Sequence, residues 1–351
     1  MMSEKKPYVA VVLPVYNVAE YLPKNLDSLL AQNYQHFCVF AVDDGAKDNS
    51  GAILDSYSSR DARIKVFHKE NGGPSSARNF ALDKIAECAE FTYVAFLDAD
   101  DYVAPNWLKR LVDEMEKTQA DYAVFAFQCF TKEGMQAIKG GTAKNRMMDT
   151  QGIAEQFFRV DTKTGCGLPT DSTSSYFLNN RFFRWEAIKS LRFNETLWSC
   201  EDRDFLIRAM PFFKIGIQLS DVLFFYRRRL SSLSNGRSAK VTDFLVYQKL
   251  FNERHNFLKA IRVGIEVEFF NHMFQELYAK LSSRLNNSEQ RSFYNYCIKM
   301  TAISLEVPFN RSLLKKIKRL NKGYAFNRLW ALGREALRRV RNMLRKHRYY
   351  S

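Results

Sequence analysis

Continuous apolar runs that return at a nearly constant interval are the feature that most constrains how this 351-residue chain can fold. The runs stand at YVAVVL (8–13), FCVFAV (37–42), IKVF (64–67), YVAFL (93–97) and YAVFAF (122–127). Because they do not alternate with polar residues, each predicts a strand buried on both faces. Helical patterns lie between them, at residues 75–89 and 105–117. This order predicts an α/β fold with a doubly wound, mostly parallel sheet.

Each of the first four predicted strands is followed by a polar, turn-forming segment. These segments are PVYN (14–17), DDGAKDNS (43–50), NGGPSSARN (71–79) and DADD (98–101). One acidic strand end alone is more often a turn or a helix cap. Ligands of such sheets, however, bind outside the carboxyl ends of the strands, so four polar strand ends predict one shared binding crevice.

The DADD segment places three carboxylates within four positions. Asp98 and Asp100 offer hard oxygen ligands, which suit Mg²⁺ or Mn²⁺ held together with substrate phosphates. Such a cation would also relieve the repulsion between the carboxylates. Asp101 is expected only to cap the turn toward Pro105. Asp43, together with its neighbour in the DDG turn, could bind a nucleoside by hydrogen bonds, or it could be a simple turn acid.

Arg78 lies near the start of the helix that is predicted to open at Pro74. A cation there opposes the helix dipole, at a cost of about 0.3 to 1 kcal/mol. A phosphate partner would explain the placement, because Gly72 and Gly73 let the backbone approach an anion at the helix N-terminus. The alternative is an arginine that covers the surface with its aliphatic stem.

The segments VVLPVYN, VDDGAKDNS, NGGPSSARN and FLDADD resemble, in order, the motifs of the family 2 glycosyltransferases. The resemblance covers about the first 130 residues. It implies a GT-A type nucleotide-sugar-binding fold and an inverting transfer of a sugar from a nucleotide donor, usually a UDP-sugar, to an acceptor hydroxyl. One departure is small: Ala46 and Lys47 stand where the family usually has Ser and Thr after D-D-G.

The resemblance also implies the site residues. The implied nucleotide-sugar site consists of Pro14, Tyr16, Asp43, Asp44, Asn71, Gly72, Arg78, Asp98 and Arg227. A Mn²⁺ or Mg²⁺ cofactor is expected on Asp100 first and on Asp98 second. The stretch FFYRRRLSSLSN (224–235) resembles the family's flexible loop over the donor diphosphate, where Arg227 is the matched residue and Arg228 and Arg229 are substitutes. A solvated basic loop is the alternative.

Residues 179–210 resemble the family's acceptor segment, which ends in Glu-Asp at the start of a helix. By that likeness Asp202 is the general base and Glu201 is its neighbour. A single displacement independently needs a carboxylate that takes the acceptor proton, which contributes roughly 10²- to 10⁴-fold in rate. Residues 199–202 also fit a helix capping box, which is the alternative.

The positive charge of the chain lies in its tail. The formal net charge is +15, but residues 311–351 contain 14 Lys and Arg against one acidic residue, which leaves +2 for residues 1–310. Residues 328–348 form a basic amphipathic pattern that predicts contact with the inner membrane surface, where each cation contributes about 1 kcal/mol. Nucleic-acid binding and packing on a partner subunit are the alternatives. Equal binding to anionic liposomes by a chain ending at residue 310 would contradict the membrane prediction.

We expect a GT-A catalytic domain over residues 1–240, with a nucleotide-sugar half (1–130) and an acceptor half (131–240). A helical C-terminal extension is expected over residues 241–351. The six scattered cysteines favour a reducing cytosol. Apolar runs are too short for a signal-peptide core or a membrane span. The predicted location is therefore the cytoplasmic face of the membrane, with no nucleic-acid partner and with oligomerisation left open.

The predicted activity is transfer of a hexose or N-acetylhexosamine to a glycan or lipid-linked acceptor in cell-surface polysaccharide biosynthesis, such as that of lipopolysaccharide. A sugar nucleotidyltransferase is one alternative, but it would need a glycine-rich basic loop where PVYNVAE stands. A non-catalytic basic adaptor on a transferase fold is another, and it predicts loss of the D-x-D, the base or the arginine. A dinucleotide dehydrogenase is disfavoured because no G-x-G-x-x-G follows the first strand.

Overall fold

The computed structural model describes residues 6–88, 90–131, 133–139, 144–158, 177–197 and 201–228. The first elements are β1 (Val9–Val15), α1 (Leu22–Leu30), β2 (Phe37–Asp43), α2 (Ser50–Ser58), β3 (Ile64–His68), α3 (Pro74–Ala86) and β4 (Tyr93–Phe96). The following elements are β5 (Tyr102–Val103), α4 (Trp107–Thr118), β6 (Tyr122–Thr131), β7 (Gly134–Lys139), β8 (Arg146–Met148), α5 (Thr150–Phe158), β9 (Arg181–Arg184), α6 (Trp185–Ile188), α7 (Glu201–Ala209) and β10 (Gly216–Arg227). The predicted domain boundary at residue 240, the helical extension and the basic segment 328–348 lie outside the described residues.

The strands form one sheet in the order β3-β2-β1-β4-β9-β6-β10-β5, while β7 pairs with β6 and β8 with β10. All neighbours from β3 to β4 are parallel. The second half is mixed: β9 is antiparallel to both β4 and β6, whereas β6 and β10 are parallel. The predicted fold class is thus confirmed. The antiparallel pairing of β4 and β6 with β9 was not predicted, because the four residues of β9 are too few to show a periodic pattern.

All five predicted strands are present, and the described residues of β1, β2 and β4 are buried almost throughout. The predicted helices correspond to α3 and α4. Helix α3 starts at Pro74, directly after Gly73, whose φ of +85° favours glycine. Helix α4 ends at Thr118 and is followed by Gln119 in the left-handed conformation. The sequence pattern therefore sets both the layers of the fold and the turns at the strand ends.

Aromatic packing fixes the position of α7 against the parallel half of the sheet. The ring of Phe205 on α7 stacks on Phe193 with centroids 4.2 Å apart and meets Phe96 of β4 edge to face at 5.7 Å. All three side chains are buried. Because Phe96 lies two residues before the D-x-D, this packing brings the first turn of α7 to the carboxyl end of β4. Among the described helices, none is both long and apolar enough to cross a membrane.

Candidate active site

The loops after β1 and β2 are joined at the edge of the sheet where the predicted crevice lies. Asn17 Oδ1 accepts a hydrogen bond from the backbone N–H of Lys47 at 2.7 Å. Asp48 Oδ2 accepts one from the N–H of Ala19 at 3.0 Å, and Ser50 Oγ accepts one from Val18. Asn17 has φ of +51°, a conformation that asparagine tolerates better than most residues. The polar segments after the two strands therefore form one surface.

Asp44 is a buried structural acceptor in this surface. One carboxylate oxygen accepts the N–H of Gly72 at 2.9 Å and Lys69 Nζ at 2.7 Å. The other accepts the N–H of Gly73 at 2.7 Å and Asn71 Nδ2 at 3.1 Å. In this structure the N–H groups of both glycines donate to a carboxylate of the protein, while the predicted place of Gly72 in the nucleotide-sugar site stays a prediction.

Replacing Asp44 with alanine should destabilise the fold by about 1 to 3 kcal/mol, because it removes the buried carboxylate that accepts the N–H groups of Gly72 and Gly73. Lys69 also loses this partner but keeps its hydrogen bond to the carbonyl of Glu70. Thermal or urea unfolding measures this change. Asp113→Ala is the control, since Asp113 pairs with Lys109 on the exposed surface at 52% side-chain exposure for both residues. Equal midpoints for the two variants would contradict the structural role of Asp44.

Asp43 is held between a turn amide and a histidine. One oxygen accepts the N–H of Ala46 at 2.9 Å, and the other lies 2.9 Å from Nδ1 of His68. The far ring nitrogen of His68 lies 3.0 Å from Asp55, and the two carboxylates raise the pKa of the imidazole. A Cβ at Gly51 would lie 2.8 Å from Asp43, so the glycine makes room for this carboxylate. The Asp43 carboxylate is thus held in a fixed position at the wall of the crevice.

Pro14 and Tyr16 lie at the end of β1 beside this wall. Pro14 is half-buried within the strand, whereas the Tyr16 ring is 39% exposed. An exposed aromatic ring next to polar loops offers a stacking surface for a base. The structure therefore brings the predicted residues of the first three strand ends to one side of the crevice.

The DADD turn after β4 is anchored from two distant elements. Asn25 of α1 is fully buried, and its Nδ2 donates to the carbonyl oxygens of Asp98 and Asp101 at 3.1 and 2.9 Å. Arg227 at the end of β10 donates through Nε to the carbonyl of Asp100 at 2.9 Å. The backbone of the turn is therefore fixed independently of its carboxylates.

Asp101 does more than cap a turn, contrary to the expectation. Its side chain is buried, and Oδ1 accepts the backbone N–H of Arg227 at 2.7 Å, which ties β10 to the D-x-D. Burial, followed by the nearby charges of Asp100 and Asp98, raises the pKa of Asp101 well above its usual value. The other oxygen, Oδ2, has no hydrogen-bond partner among the described residues. The buried Asp101 side chain therefore stays protonated to a higher pH than an ordinary carboxyl group does.

Arg227 lies beside the DADD turn, where its Nε donates to the carbonyl of Asp100. Its guanidinium carbon lies 4.5 Å from the ring centre of Tyr21 and 4.6 Å from that of Phe130. Lys24 of α1 lies over the neighbouring Tyr102 ring at 3.8 Å, and burial and the charge of Arg227 lower its pKa. Positive charge therefore stands directly beside the D-x-D. Arg228 donates its backbone N–H to Phe130 O, and Arg229 lies outside the described residues.

Arg78 lies among carboxylates. It is 3% exposed, Nη2 lies 2.9 Å from Asp98, and Nη1 lies 3.2 Å from Asp202 and 3.4 Å from Glu201. Asn179 Nδ2 donates to the second oxygen of Asp98 at 2.8 Å. The structure thus brings the D-x-D and the Glu-Asp pair, over 100 residues apart in the sequence, to one arginine.

The pKa of Asp202 is raised to about 7. Burial is the largest cause, the charges of Glu201 and Asp98 raise it further, and the charge of Arg78 opposes the rise. A carboxylate with a pKa near neutrality is suited to general base catalysis, because about half of it is ionised at pH 7 and it is more basic than an ordinary carboxylate. The capping-box alternative involves residues 199 and 200, which lie outside the described residues.

The carboxylates fit a divalent cation only if a substrate completes its shell. Both oxygens of Asp98 are engaged by Arg78 and Asn179, and among the described residues no three acidic, His or Cys side chains converge as a metal site. Mg²⁺ and Mn²⁺ in such sites take one or two protein carboxylates together with phosphate oxygens and water. The carboxyl groups of Asp100 and Asp101, with one Asp101 oxygen that has no hydrogen-bond partner among the described residues, are consistent with that arrangement.

Three side chains that contact the predicted site residues were not predicted from the sequence. Asn25 is a polar residue on the buried stripe of α1, between Leu22 and Leu29, and that mismatch was its only signal. Asn179 precedes the short strand β9. Lys69 follows β3 and is distinguished from other lysines only by its contact with Asp44.

A ten-stranded α/β sheet, with a polar crevice outside β1 to β4 and a D-x-D after β4, defines a GT-A type transferase fold. The crystal structure of S. aureus TarS 1–349 in complex with UDP-GlcNAc matches with a TM-score of 0.67 at 22% identity, over 86% of this chain and 82% of that one. The complex of the same TarS fragment with UDP matches at 0.64 and 21%, over 84% and 80% of the two chains. These likenesses confirm the fold.

The model of the family described as Glycosyl transferase family 2 matches residues 10–184, about half of the chain. The uncharacterized glycosyltransferase EpsJ of Bacillus subtilis is 30% identical over 230 residues, 65% of this chain and 63% of that protein. Glycosyltransferase GlyA of Streptococcus pneumoniae is 26% identical over 355 residues, 90% of this chain and 50% of that protein. The chain thus spans about half to two thirds of these relatives. It belongs to glycosyltransferase family 2.

Proposed function

We propose that the protein is an inverting glycosyltransferase that moves a hexose or N-acetylhexosamine from a nucleotide sugar to a hydroxyl of a surface glycan or its lipid-linked precursor. The observation that carries the proposal is the position of Asp202, a carboxylate with a pKa of about 7 joined through Arg78 to Asp98 of the D-x-D. A base and a diphosphate site must lie on either side of the transferred sugar, and this geometry supports that arrangement.

Two relatives support the choice of substrates. TarS is a structural neighbour whose crystal structures contain UDP and UDP-GlcNAc. TuaG of Bacillus subtilis, described as a putative teichuronic acid biosynthesis glycosyltransferase, is 33% identical over 134 residues, 38% of this chain and 52% of that protein. We therefore propose a UDP-sugar as the donor and a cell-surface polymer as the product. The membrane contact of residues 328–348 is part of this proposal and rests on their sequence.

In the proposed reaction the nucleoside lies against Tyr16 and the fixed Asp43 and Asp44 wall. Asp202 accepts the proton of the acceptor hydroxyl as its oxygen attacks the anomeric carbon. The bond from that carbon to the diphosphate breaks on the opposite face, so the anomeric configuration inverts. Arg227 lies where its guanidinium stabilises charge on the leaving diphosphate. A divalent cation on Asp100 would supply further positive charge to the same leaving group.

A screen of nucleotide release tests the proposal. The full-length protein is incubated with a panel of UDP-, GDP- and dTDP-sugars and with Mn²⁺ or Mg²⁺, and the freed nucleotide is measured. We expect release from at least one UDP-hexose or UDP-N-acetylhexosamine. Pyrophosphate formation from a nucleoside triphosphate and a sugar phosphate, without nucleotide release from any sugar donor, would instead establish the nucleotidyltransferase alternative.

The pH dependence of kcat should report Asp202. Because the base must be ionised and its pKa is about 7, kcat should fall as pH decreases below 7, approaching tenfold per pH unit. Above pH 7 the same group should leave kcat nearly constant. The measurement is a pH–rate profile at saturating donor, with circular dichroism at each pH to confirm that the fold persists. A flat profile between pH 5.5 and 8 would remove Asp202 from the proton transfer.

A further inference from the structure

We infer that Arg78 is a positioning residue that holds the general base against the D-x-D, rather than a ligand of the donor phosphates. The inference rests on the proposed function and deepens it, because it assigns how the two halves of the catalytic domain are brought into register.

The Arg78 side chain is buried rather than exposed in the crevice. Only 4% of its side chain is exposed, and its guanidinium lies 5.4 Å from the centre of the Phe193 ring. The two terminal nitrogens contact Asp98 on one side and the Glu201 and Asp202 pair on the other. A group in this position contacts the catalytic carboxylates directly and has little surface left for a substrate.

The contacts of Arg78 join segments that are far apart in the sequence. Asp98 belongs to the turn after β4, whereas Asp202 lies in the first turn of α7, and Arg78 on α3 contacts both. The next residue, Asn79, exchanges two hydrogen bonds with the backbone of Phe193, at 3.0 and 2.6 Å. Two consecutive residues of α3 thus bind the later part of the chain. The Asn79 side chain binds the backbone of Phe193, and the Arg78 guanidinium binds the carboxylates of Glu201 and Asp202.

The positive charge of Arg78 also affects the protonation of the carboxylates around it. Three carboxylates surround one guanidinium, so removing the cation leaves like charges close together in a partly buried place, which favours protonation. The planar guanidinium also contacts both elements at once, which a single ammonium group cannot reproduce. Arg78 therefore keeps Asp202 both ionised and oriented.

The test compares Arg78→Met and Arg78→Lys with Arg192→Met in the full-length protein. Arg192 is a matched control because it also joins α3 to the second half, through a 2.7 Å ion pair with Asp83, but its partner is 60% exposed. Nucleotide release gives kcat, donor KM and the pH profile. UDP affinity and hydrogen–deuterium exchange of residues 201–209 do not depend on turnover.

For Arg78→Met we expect kcat to fall about 10- to 100-fold, with donor KM and UDP affinity within about threefold of wild type. The acidic limb of kcat should move to higher pH by about one unit, because an opposite charge at this distance lowers a carboxylate pKa by about that amount or more. Arg78→Lys should recover part of both effects and remains informative if Arg78→Met fails to fold. Arg192→Met should match wild type in kcat and pH profile.

A tenfold rise in donor KM with unchanged kcat in Arg78→Met would overturn the inference. It would show instead that Arg78 binds the donor. If the wild-type protein releases no nucleotide from any donor, the proposed function fails, and the exchange measurement decides the positioning role by itself. Faster exchange at residues 201–209 in Arg78→Met but not in Arg192→Met would uphold that role. Equal exchange in the two variants would overturn it.

Discussion

Asp202→Asn should lower the kcat of sugar transfer by about 10²- to 10⁴-fold while leaving donor KM nearly unchanged. Asparagine has almost the same volume as aspartate and still offers Arg78 an oxygen acceptor, so the structure around the site should persist. Its amide cannot take the proton of the acceptor hydroxyl. Steady-state kinetics with the donor found in the screen, together with UDP affinity, measures both quantities.

Glu201→Gln is the matched control for this result, because Glu201 is the adjacent residue and contacts the same nitrogen of Arg78. We expect a much smaller loss of kcat from it than from Asp202→Asn. A larger loss from Glu201→Gln would exchange the roles of the two acids. Transfer at the wild-type rate by both variants would remove the pair from the chemistry.

Asp100→Asn should reduce kcat/KM by about 100-fold or more and raise the Mn²⁺ concentration needed for half-activation. The reason is that charge neutralisation by a metal contributes several kcal/mol, and each 1.36 kcal/mol is a factor of ten in rate. The hydrogen bond from Arg227 goes to the backbone carbonyl of Asp100, so the substitution leaves that anchor intact. Nucleotide release measured across a Mn²⁺ titration gives both parameters.

Asp98→Asn separates the two members of the D-x-D. Because Asp98 contacts Arg78 and Asn179, we expect this variant to lose kcat with little change in the Mn²⁺ requirement. Asp113→Asn, at the exposed surface of α4, should resemble wild type. An unchanged Mn²⁺ dependence in Asp100→Asn, with a shifted one in Asp98→Asn, would make Asp98 the principal metal ligand.

The parallel half of the sheet could be predicted because its strands are continuous apolar runs, and because each run ends in turn-forming residues. The same rule placed Asp43, Asp44, Asp98 and Asp100 at one edge, since parallel strands present their carboxyl ends together. Strand β9 could not be predicted with the same argument. Its four residues, RFFR, show no periodicity, and their place between β4 and β6 depends on sheet pairing rather than on local sequence.

The contacts of individual side chains were harder to predict than their location. Arg78 was correctly placed near the crevice, but its partners Glu201 and Asp202 are over 120 positions away in the sequence. Gly72 and Gly73 were expected to let the backbone approach an anion, yet in the structure their amides donate to Asp44, which no local pattern indicates. Pairings of this kind depend on tertiary contacts. The sequence therefore predicts which residues lie in the same region of the fold, but not which side chains form hydrogen bonds or ion pairs with each other.

The place of β9 in the sheet also bears on how the protein is made. Tyr93–Phe96 of β4 is buried, and among the described strands β9 (Arg181–Arg184) pairs with the edge of β4 that β1 does not cover. A ribosome synthesises the first four strands well before it delivers β9, so that edge of β4 lacks this partner in the meantime. Such edges pair readily with other chains, and domains tend to fold as units during synthesis. The late arrival of β9 thus leaves a strand edge that can pair with other nascent chains until that strand is synthesised.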